Sequence, residues 1–416
     1  MKNMIKMSLA TAVMMSVGTL SAQAADEGIS IFENVKVKGE IRPRYEMVDE
    51  DKPNPNANAL TNRLVLGVGA DLLGTDWLST YVEMTDVHAL NPDNYNGLDG
   101  RGNPNSVVAD PEQTRLTQSY IDVKYKKTKL RYGRQMFNVD NLRFIGAVAW
   151  RQMPQTYDAT TIFDSSIEGL DLMASYITQT NKIVEATDNK DIGILHAKYK
   201  AMDALTITGY GYLVENLGDT YGLALTGKVP VSDSLKLSYR AEYAMMGDAS
   251  MTENPAPTQE SADADYYNLE LGMNMSGILA GINYEVQSGK SASDTSAERK
   301  TFVTPYGTNH KFNGFADKFL GTPAQGLVDA NIMLGYKSKE VGVLKAIYHD
   351  FSSDVDSVDY GTEIDLLYKR AIPGFKNVTG LLKYADFSSD NSGATLTGGD
   401  VDTQKFWVQL DYKFSI

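Results

Sequence analysis

The chain has 416 residues, with 53 acidic against 39 basic side chains and a formal net charge of −14. That balance excludes a nucleic-acid binder, because phosphate contacts need clustered Lys and Arg. It has no cysteine, which excludes disulfides, thiolate metal sites and thiol nucleophiles.

The first element is Lys2 and Lys6, then an apolar run from Met7 to Leu20, then Ala22-Gln23-Ala24. A membrane-spanning helix needs about 20 apolar residues, and Ser16, Gly18 and Thr19 dilute this run. The order is that of a secretory leader, 1–24, with cleavage after Ala24. Residues 25–416 then read as one domain. The mean hydropathy is −0.30, as expected where only alternate residues meet lipid.

Period-2 alternation dominates this domain. In the first strand Val35, Val37, Ile41, Pro43, Tyr45 and Met47 share one parity. Lys36, Lys38, Glu40, Arg42, Arg44 and Glu46 share the other. The same pattern sets Leu237, Tyr239, Ala241 and Tyr243 against Lys236, Ser238, Arg240 and Glu242. Near the end it sets Phe406, Val408, Leu410 and Tyr412 against Lys405, Gln409, Asp411 and Lys413. A Lys or Arg facing lipid at the midplane costs about 2–4 kcal/mol, whereas a water-filled lumen tolerates it. The charged parity therefore points inward, and Lys36, Lys38, Arg42, Arg44 and Arg240 are candidate pore-lining residues.

Strands are predicted at 35–48, 62–73, 77–88, 114–126, 128–137, 156–164, 168–178, 191–200, 203–214, 219–229, 234–247, 265–275, 277–288, 327–338, 341–352, 359–370, 375–387 and 403–414. The fold class is all-β: a transmembrane antiparallel β-barrel of about 18 strands. Connections after even-numbered strands are short, such as Met275-Ser276-Gly277; several after odd-numbered strands are long, such as 89–113, 138–155 and 289–326. Short periplasmic turns and long extracellular loops produce this phase, with both chain ends on the periplasmic side of a Gram-negative outer membrane. The final strand ends on Ile416 rather than the aromatic residue that the barrel-assembly machinery commonly reads.

The segment 129–151 reverses the chain's acidic bias, with Lys129, Arg131, Arg134, Arg143 and Arg151 against Asp140 alone. Its loop also holds the apolar run Phe144-Ile145-Gly146-Ala147-Val148-Ala149-Trp150. A loop this apolar is expected to fold into the barrel mouth and carry its arginines to a constriction, where rings of Arg and Lys select anions. The competing expectation is that they pair with lumenal acids such as Glu40, Glu46, Glu83 and Asp122 and brace the wall. Arg134 shares the lipid-facing parity of Leu130 and Tyr132 unless Gly133 introduces a bulge or the strand has reached its rim.

Gly133-Arg134-Gln135, Asn141-Leu142-Arg143-Phe144-Ile145-Gly146, Trp150-Arg151-Gln152 and Gln155-Thr156-Tyr157-Asp158 form one block of motifs. His310-Lys311-Phe312-Asn313-Gly314-Phe315-Ala316-Asp317-Lys318-Phe319-Leu320, followed by Gly326-Leu327 and Asp329, forms another. Together they resemble the alginate-export family of outer-membrane porins, with Tyr157 where the family usually has Phe and Phe315 where it has Trp. The resemblance implies an eighteen-stranded barrel with an arginine-rich constriction. It implies a pore role for Arg134, Arg143 and Arg151, and it marks His310, Lys311, Asp317 and Lys318 as a loop block of interest. The expected function is passive passage of small hydrophilic or anionic solutes, an anionic saccharide among them. The alternative is a surface-binding or adhesin barrel with a plugged lumen.

Expected partners are outer-membrane lipid and lipopolysaccharide, the assembly machinery and small anionic or sugar-like solutes. No cofactor, metal site or catalytic residue is expected. The four histidines are scattered, and neither H-E-x-x-H nor G-x-S-x-G occurs. A hydrolase reading would rest on His349 near the rim, with no nucleophile placed beside it. The acidic loops 248–264 and 386–402 read as solvated surface, with divalent bridging to lipopolysaccharide as the sharper alternative.

Overall fold

The computed structural model describes residues 30–252 and 261–416. The expected leader, 1–24, lies outside the described residues, as do Glu253 and Glu260 of the acidic loop.

Eighteen long strands occur among the described residues. They are β1 Phe32–Glu50, β2 Ala57–Leu72, β3 Leu78–Ala89, β4 Gln113–Tyr125, β5 Thr128–Gln135, β6 Thr156–Asp164, β7 Leu170–Asn181, β8 Ile192–Met202 and β9 Leu205–Val214. The second half comprises β10 Gly218–Pro230, β11 Leu235–Gly247, β12 Ala264–Met275, β13 Ile278–Gln287, β14 Leu327–Ser338, β15 Gly342–Ser352, β16 Asp359–Ala371, β17 Val378–Ser389 and β18 Thr403–Ser415. A two-residue ladder, Thr187–Asp188, pairs with the end of β7 inside a loop. Each long strand pairs antiparallel with its sequence neighbour, and β1 also pairs with β18, from Lys38 opposite Ser415 to Glu50 opposite Thr403. Closure leaves no open edge, which is what permits a sheet to cross a bilayer.

The parity expected from the sequence is the parity observed. Glu46, Arg44 and Glu363 are fully buried inside, whereas Leu271, Ile332 and Leu334 are more than half exposed on the outside. A soluble protein would show the reverse; here lipid covers the apolar face. The short turns also hold: Ser276 and Gly277 both have positive φ, 51° and 94°, as a two-residue hairpin turn requires. On the outer wall Phe414 lies opposite Gly39 and covers it, and the backbone of Ile416 exchanges hydrogen bonds of 2.9 Å with Val37. The ladder thus runs to the last residue.

The opposite ends of the strands carry the long connections. Two of them, 136–155 and 288–326, turn inward and supply much of the buried apolar surface. Phe137, Val139, Phe144 and Ile145 from the first join Phe302 and Tyr306 from the second and meet the inward faces of β6 to β9, β11 and β12. Phe315 and Phe319 meet Phe351, Tyr360, Phe387 and Trp407 on the far side.

Candidate functional site

The apolar run of the first loop explains its position. Phe144 lies 5.3 Å from the rings of both Tyr210 and Tyr266 and 5.9 Å from Phe302, in a buried cluster. Inside the barrel the two loops bond to each other. The Gly146 N–H donates to the Tyr306 carbonyl at 2.9 Å, and the Thr308 N–H donates to the Leu142 carbonyl at 2.9 Å. The approach is so close that a Cβ on Gly146 would sit 2.3 Å from the Thr308 hydroxyl and would have to push that side chain aside.

This meeting settles where the basic residues go. Arg143 is buried, 2.8 Å from Glu285 on β13, donating to Asn313 at 2.9 Å and lying over the Phe312 ring. Arg151 donates to both oxygens of Glu46 at 3.0 Å and to Asp317 at 3.0 Å, with Asp110 at 3.7 Å. Arg44 lies 3.3 Å from Asp110, donates to Gln409 and places its guanidinium 4.2 Å over Trp150. These arginines are ion-paired and largely buried.

Lys129 and Arg131 lie nearer the periplasmic turns, Arg131 in a two-pronged pair with Asp122 at 2.7 Å and Lys129 over the Phe163 ring. Arg134 requires a correction. The ladders on both sides of β5 stay in register through Gly133, so Arg134 keeps the outward parity. It forms a two-pronged pair with Asp158 at 2.6 and 2.8 Å on the outer surface. The positive φ of Gly133 (126°) does not turn it inward.

Among the expected lining residues, Arg42 pairs with Glu40 at 2.9 Å and Asp411 at 2.7 Å. Arg240 pairs with Glu242 at 2.7 Å and with Asp140 of the first loop. Lys36 and Lys38 are exposed at the opposite end of β1. Cavities remain beside the loops. One of about 880 Å³ is lined by Lys38, Arg42, Arg63, Lys413, Glu40 and Asp411 among others. A second of about 720 Å³ is lined by Arg240, Lys311, Lys198, Glu270 and Asp329 among others.

The loop block is a ligature between the loops and the wall. The Asp317 carboxylate accepts from Arg151 and from Lys405 on β18, each at 3.0 Å, and faces His310 Nδ1 at 2.5 Å. The other ring nitrogen of His310 faces Lys383 of β17 at 2.6 Å. The Lys383 ammonium lies among three rings, 3.2 Å from Phe315, 4.2 Å from Trp150 and 5.1 Å from Trp407. Lys318 donates to Thr403 at 3.0 Å, and exposed Lys311 donates to the Asn141 carbonyl at 2.8 Å. Burial pushes the His310 imidazole down to about 3. Burial opposes ionisation of Asp317, yet His310, Lys405 and Arg151 hold it well below the usual carboxylate range.

Sequence reading missed Lys383, Asp110 and Arg63. Arg63 and Lys383 share the inward parity of their strands, and that was the available signal. Arg63 is buried beside the larger cavity, 3.6 Å from Glu40, with two guanidinium nitrogens that make no hydrogen bond. His349 lies three residues before the end of β15, buried, 2.9 Å from Asp329 and 3.6 Å from Asp365. In the acidic loops, Asp248 accepts from the Ala262 N–H at 2.7 Å, and Asp400 accepts from Ser389, Ser392 and Gly393. Among the described residues no group of His, Asp and Glu is arranged to hold a metal ion.

The fold is that of solved outer-membrane proteins. OccAB2 of Acinetobacter baumannii superposes with a TM-score of 0.70 at 16% identity, covering 94% of this chain and 100% of that one. OccK1 (OpdK) of Pseudomonas aeruginosa superposes with a TM-score of 0.69 at 12% identity, covering 93% and 100%. OpdK, solved with vanillate, gives a TM-score of 0.70 at 11% identity, again covering 93% and 100%. No curated protein matches the chain. The alginate-export family profile matches residues 34–271, more than half of the chain. The inward loops thus belong to an eighteen-stranded barrel of the Gram-negative outer membrane, and the protein is a member of the alginate-export family.

Proposed function

We propose that the protein is a porin-type channel through which small hydrophilic or anionic solutes, an anionic saccharide among them, pass passively. The observation that carries this reading is the pair of inward loops hydrogen-bonded to each other inside a closed barrel, with polar cavities beside them. Such loops narrow a lumen without removing its charged wall. A solute must bind well enough to enter and weakly enough to leave.

The arginine constriction takes a modified form. Arg143 and Arg151 hold the loops through ion pairs, and the attraction for anions comes from cationic groups on the cavity wall, Lys38, Arg42, Arg63 and Lys413. Vanillate in one structural neighbour is a small carboxylate, which is compatible with an anionic solute here.

The burial of Arg44, Arg143 and Arg151 favours a second reading, the plugged barrel that binds at its surface. Reversal potential and single-channel conductance in a planar bilayer under a salt gradient separate the two. An anion-selective current supports the channel. No current supports the plug.

A further inference from the structure

A cavity of about 560 Å³ lies on the lipid face of the barrel, lined by residues of β6 to β10. Parity places it there. Its walls are Ile162, Leu172, Leu195 and Tyr221, all exposed large hydrophobics of the outward face. Its floor is Ala174, Ala197, Gly209 and Gly211, which share that face. The ladders set these residues in two adjacent rows. One runs Asp164, Leu172, Ala197, Gly209, and the other runs Ile162, Ala174, Leu195, Gly211, Tyr221. The wall dips wherever Ala or Gly stands in a row. A Cβ added to Gly209 meets nothing within 4 Å, whereas the Tyr221 ring lies against Gly211 and closes the far end.

The groove has a direction and a depth. It starts at Asp164, the last residue of β6, on the periplasmic side. From Leu205 to Gly211 along β9, at about 3.3 Å per residue and a tilt of about 40°, the floor rises about 15 Å. That is half of the roughly 30 Å hydrocarbon core, the depth of one leaflet. The mouth is charged. Thr128 and Ser166 donate to the Asp164 carboxylate, and the Lys127 ammonium lies alongside it. Lys127 is exposed, and its carbonyl accepts from the Ser165 N–H at 3.2 Å. A carboxylate has about four acceptor positions, so Asp164 keeps one for a further donor. A carboxylate beside an ammonium complements a headgroup that carries a primary ammonium and a phosphate.

We propose that this groove holds an acyl chain of a periplasmic-leaflet phospholipid, with the headgroup ammonium on Asp164 and the phosphate on Lys127. Hydrocarbon already covers the wall, so the hydrophobic effect does not select the occupant; packing and polar contacts do. A flexible chain fills the dip, and the mouth sets which headgroup stays. A second copy of the barrel would bring apolar side chains to the dip but no phosphate to Lys127. The site is independent of what crosses the lumen.

The test is native mass spectrometry of the full barrel in mild detergent. The barrel is exposed equally to phosphatidylethanolamine, phosphatidylcholine and phosphatidylglycerol with identical acyl chains. Wild type is expected to retain one phosphatidylethanolamine in preference to the other two, because phosphatidylcholine has no N–H donor and phosphatidylglycerol no cation. Gly209→Leu fills the floor without a clash and is expected to lose the retained lipid. Ala346→Leu, on the outward face of β15 far from the groove, is expected to keep it. Asp164→Asn is expected to remove the preference for phosphatidylethanolamine over phosphatidylcholine; should it fail to fold, Gly209→Leu carries the test. Retention that Gly209→Leu keeps overturns the site, since the lipid then sits elsewhere on the wall. Equal retention of the three lipids by wild type overturns it too. A dimer mass in wild type that Gly209→Leu abolishes gives the groove to a second copy and overturns the lipid.

Discussion

Trp150 and His310, from two different loops, stack face to face with ring centroids 4.3 Å apart and planes 6° apart. The guanidinium of Arg44 lies against the same indole at 4.2 Å. Aromatic pairs contribute about 0.5–1.5 kcal/mol beyond area burial, and a desolvated cation over a ring about as much or more. Trp150→Ala is therefore expected to weaken docking of the loops by about 1–3 kcal/mol. Faster hydrogen exchange or proteolysis within 288–326 and 136–155, with the strands still protected, is the expected readout. Unchanged protection would show that the stack holds nothing.

A lysine placed on either face of one strand tests the parity. Ile282 and Asn283 are neighbours in the middle of β13, the first half-exposed on the outer wall and the second lining a lumenal cavity. Ile282→Lys is expected to cost about 2–4 kcal/mol in a bilayer and Asn283→Lys about 1 kcal/mol or less. Denaturant midpoints for folding into lipid vesicles measure both.

Selectivity separates the basic residues by their surroundings. Arg63→Ala is expected to lower the anion preference seen in reversal potential, because the Arg63 guanidinium adds positive charge at the wall of the larger cavity. Arg134→Ala is expected to leave it unchanged, because that side chain pairs with Asp158 on the outer surface. A selectivity shift in Arg134→Ala would overturn this assignment.

Arg151→Ala has a different expected outcome. It strips Glu46 and Asp317 of a shared buried partner, and breaking such a pair costs about 3–5 kcal/mol. The loops are expected to become protease-sensitive before any selectivity effect can be read.

Acidification is expected to loosen the loop block. In the docked state burial holds His310 down to about 3, with Lys383 and Arg151 lowering it further and Asp317 opposing them. Released into water its imidazole titrates near the ordinary value of about 6.5. A depressed pKa means that the docked state binds fewer protons between these values, so docking is at full strength above about 6.5 and weakens as pH falls toward 3. From pH 7 to 5 the loss is on the order of 2 kcal/mol, at 1.4 kcal/mol per unit. Proteolysis within 288–326 is expected to quicken over that interval in wild type and to change little in His310→Gln. A flat wild-type profile would rule the histidine out.

Barrel, strand number, wall parity and loop phase were legible in the chain alone. Each is a local property: a side chain's face follows from its position modulo two, and lipid outside with water inside makes one parity apolar. Lys405 and Arg240 could be placed inward without any tertiary information, and the apolar run 144–150 foretold an inward loop. What the chain could not announce was the partner of each charge. Arg143 meets Glu285 and Arg151 meets Asp317 across intervals of more than one hundred residues. Those pairings depend on how two loops cross a closed barrel. Gly133 shows the same limit in miniature, since a glycine permits a bulge and only the ladders flanking β5 decide whether one forms. Periodicity is set by the nearest neighbours of a residue and the solvent it meets; the charge state of the lumen is set by contacts that closure of the whole sheet brings together.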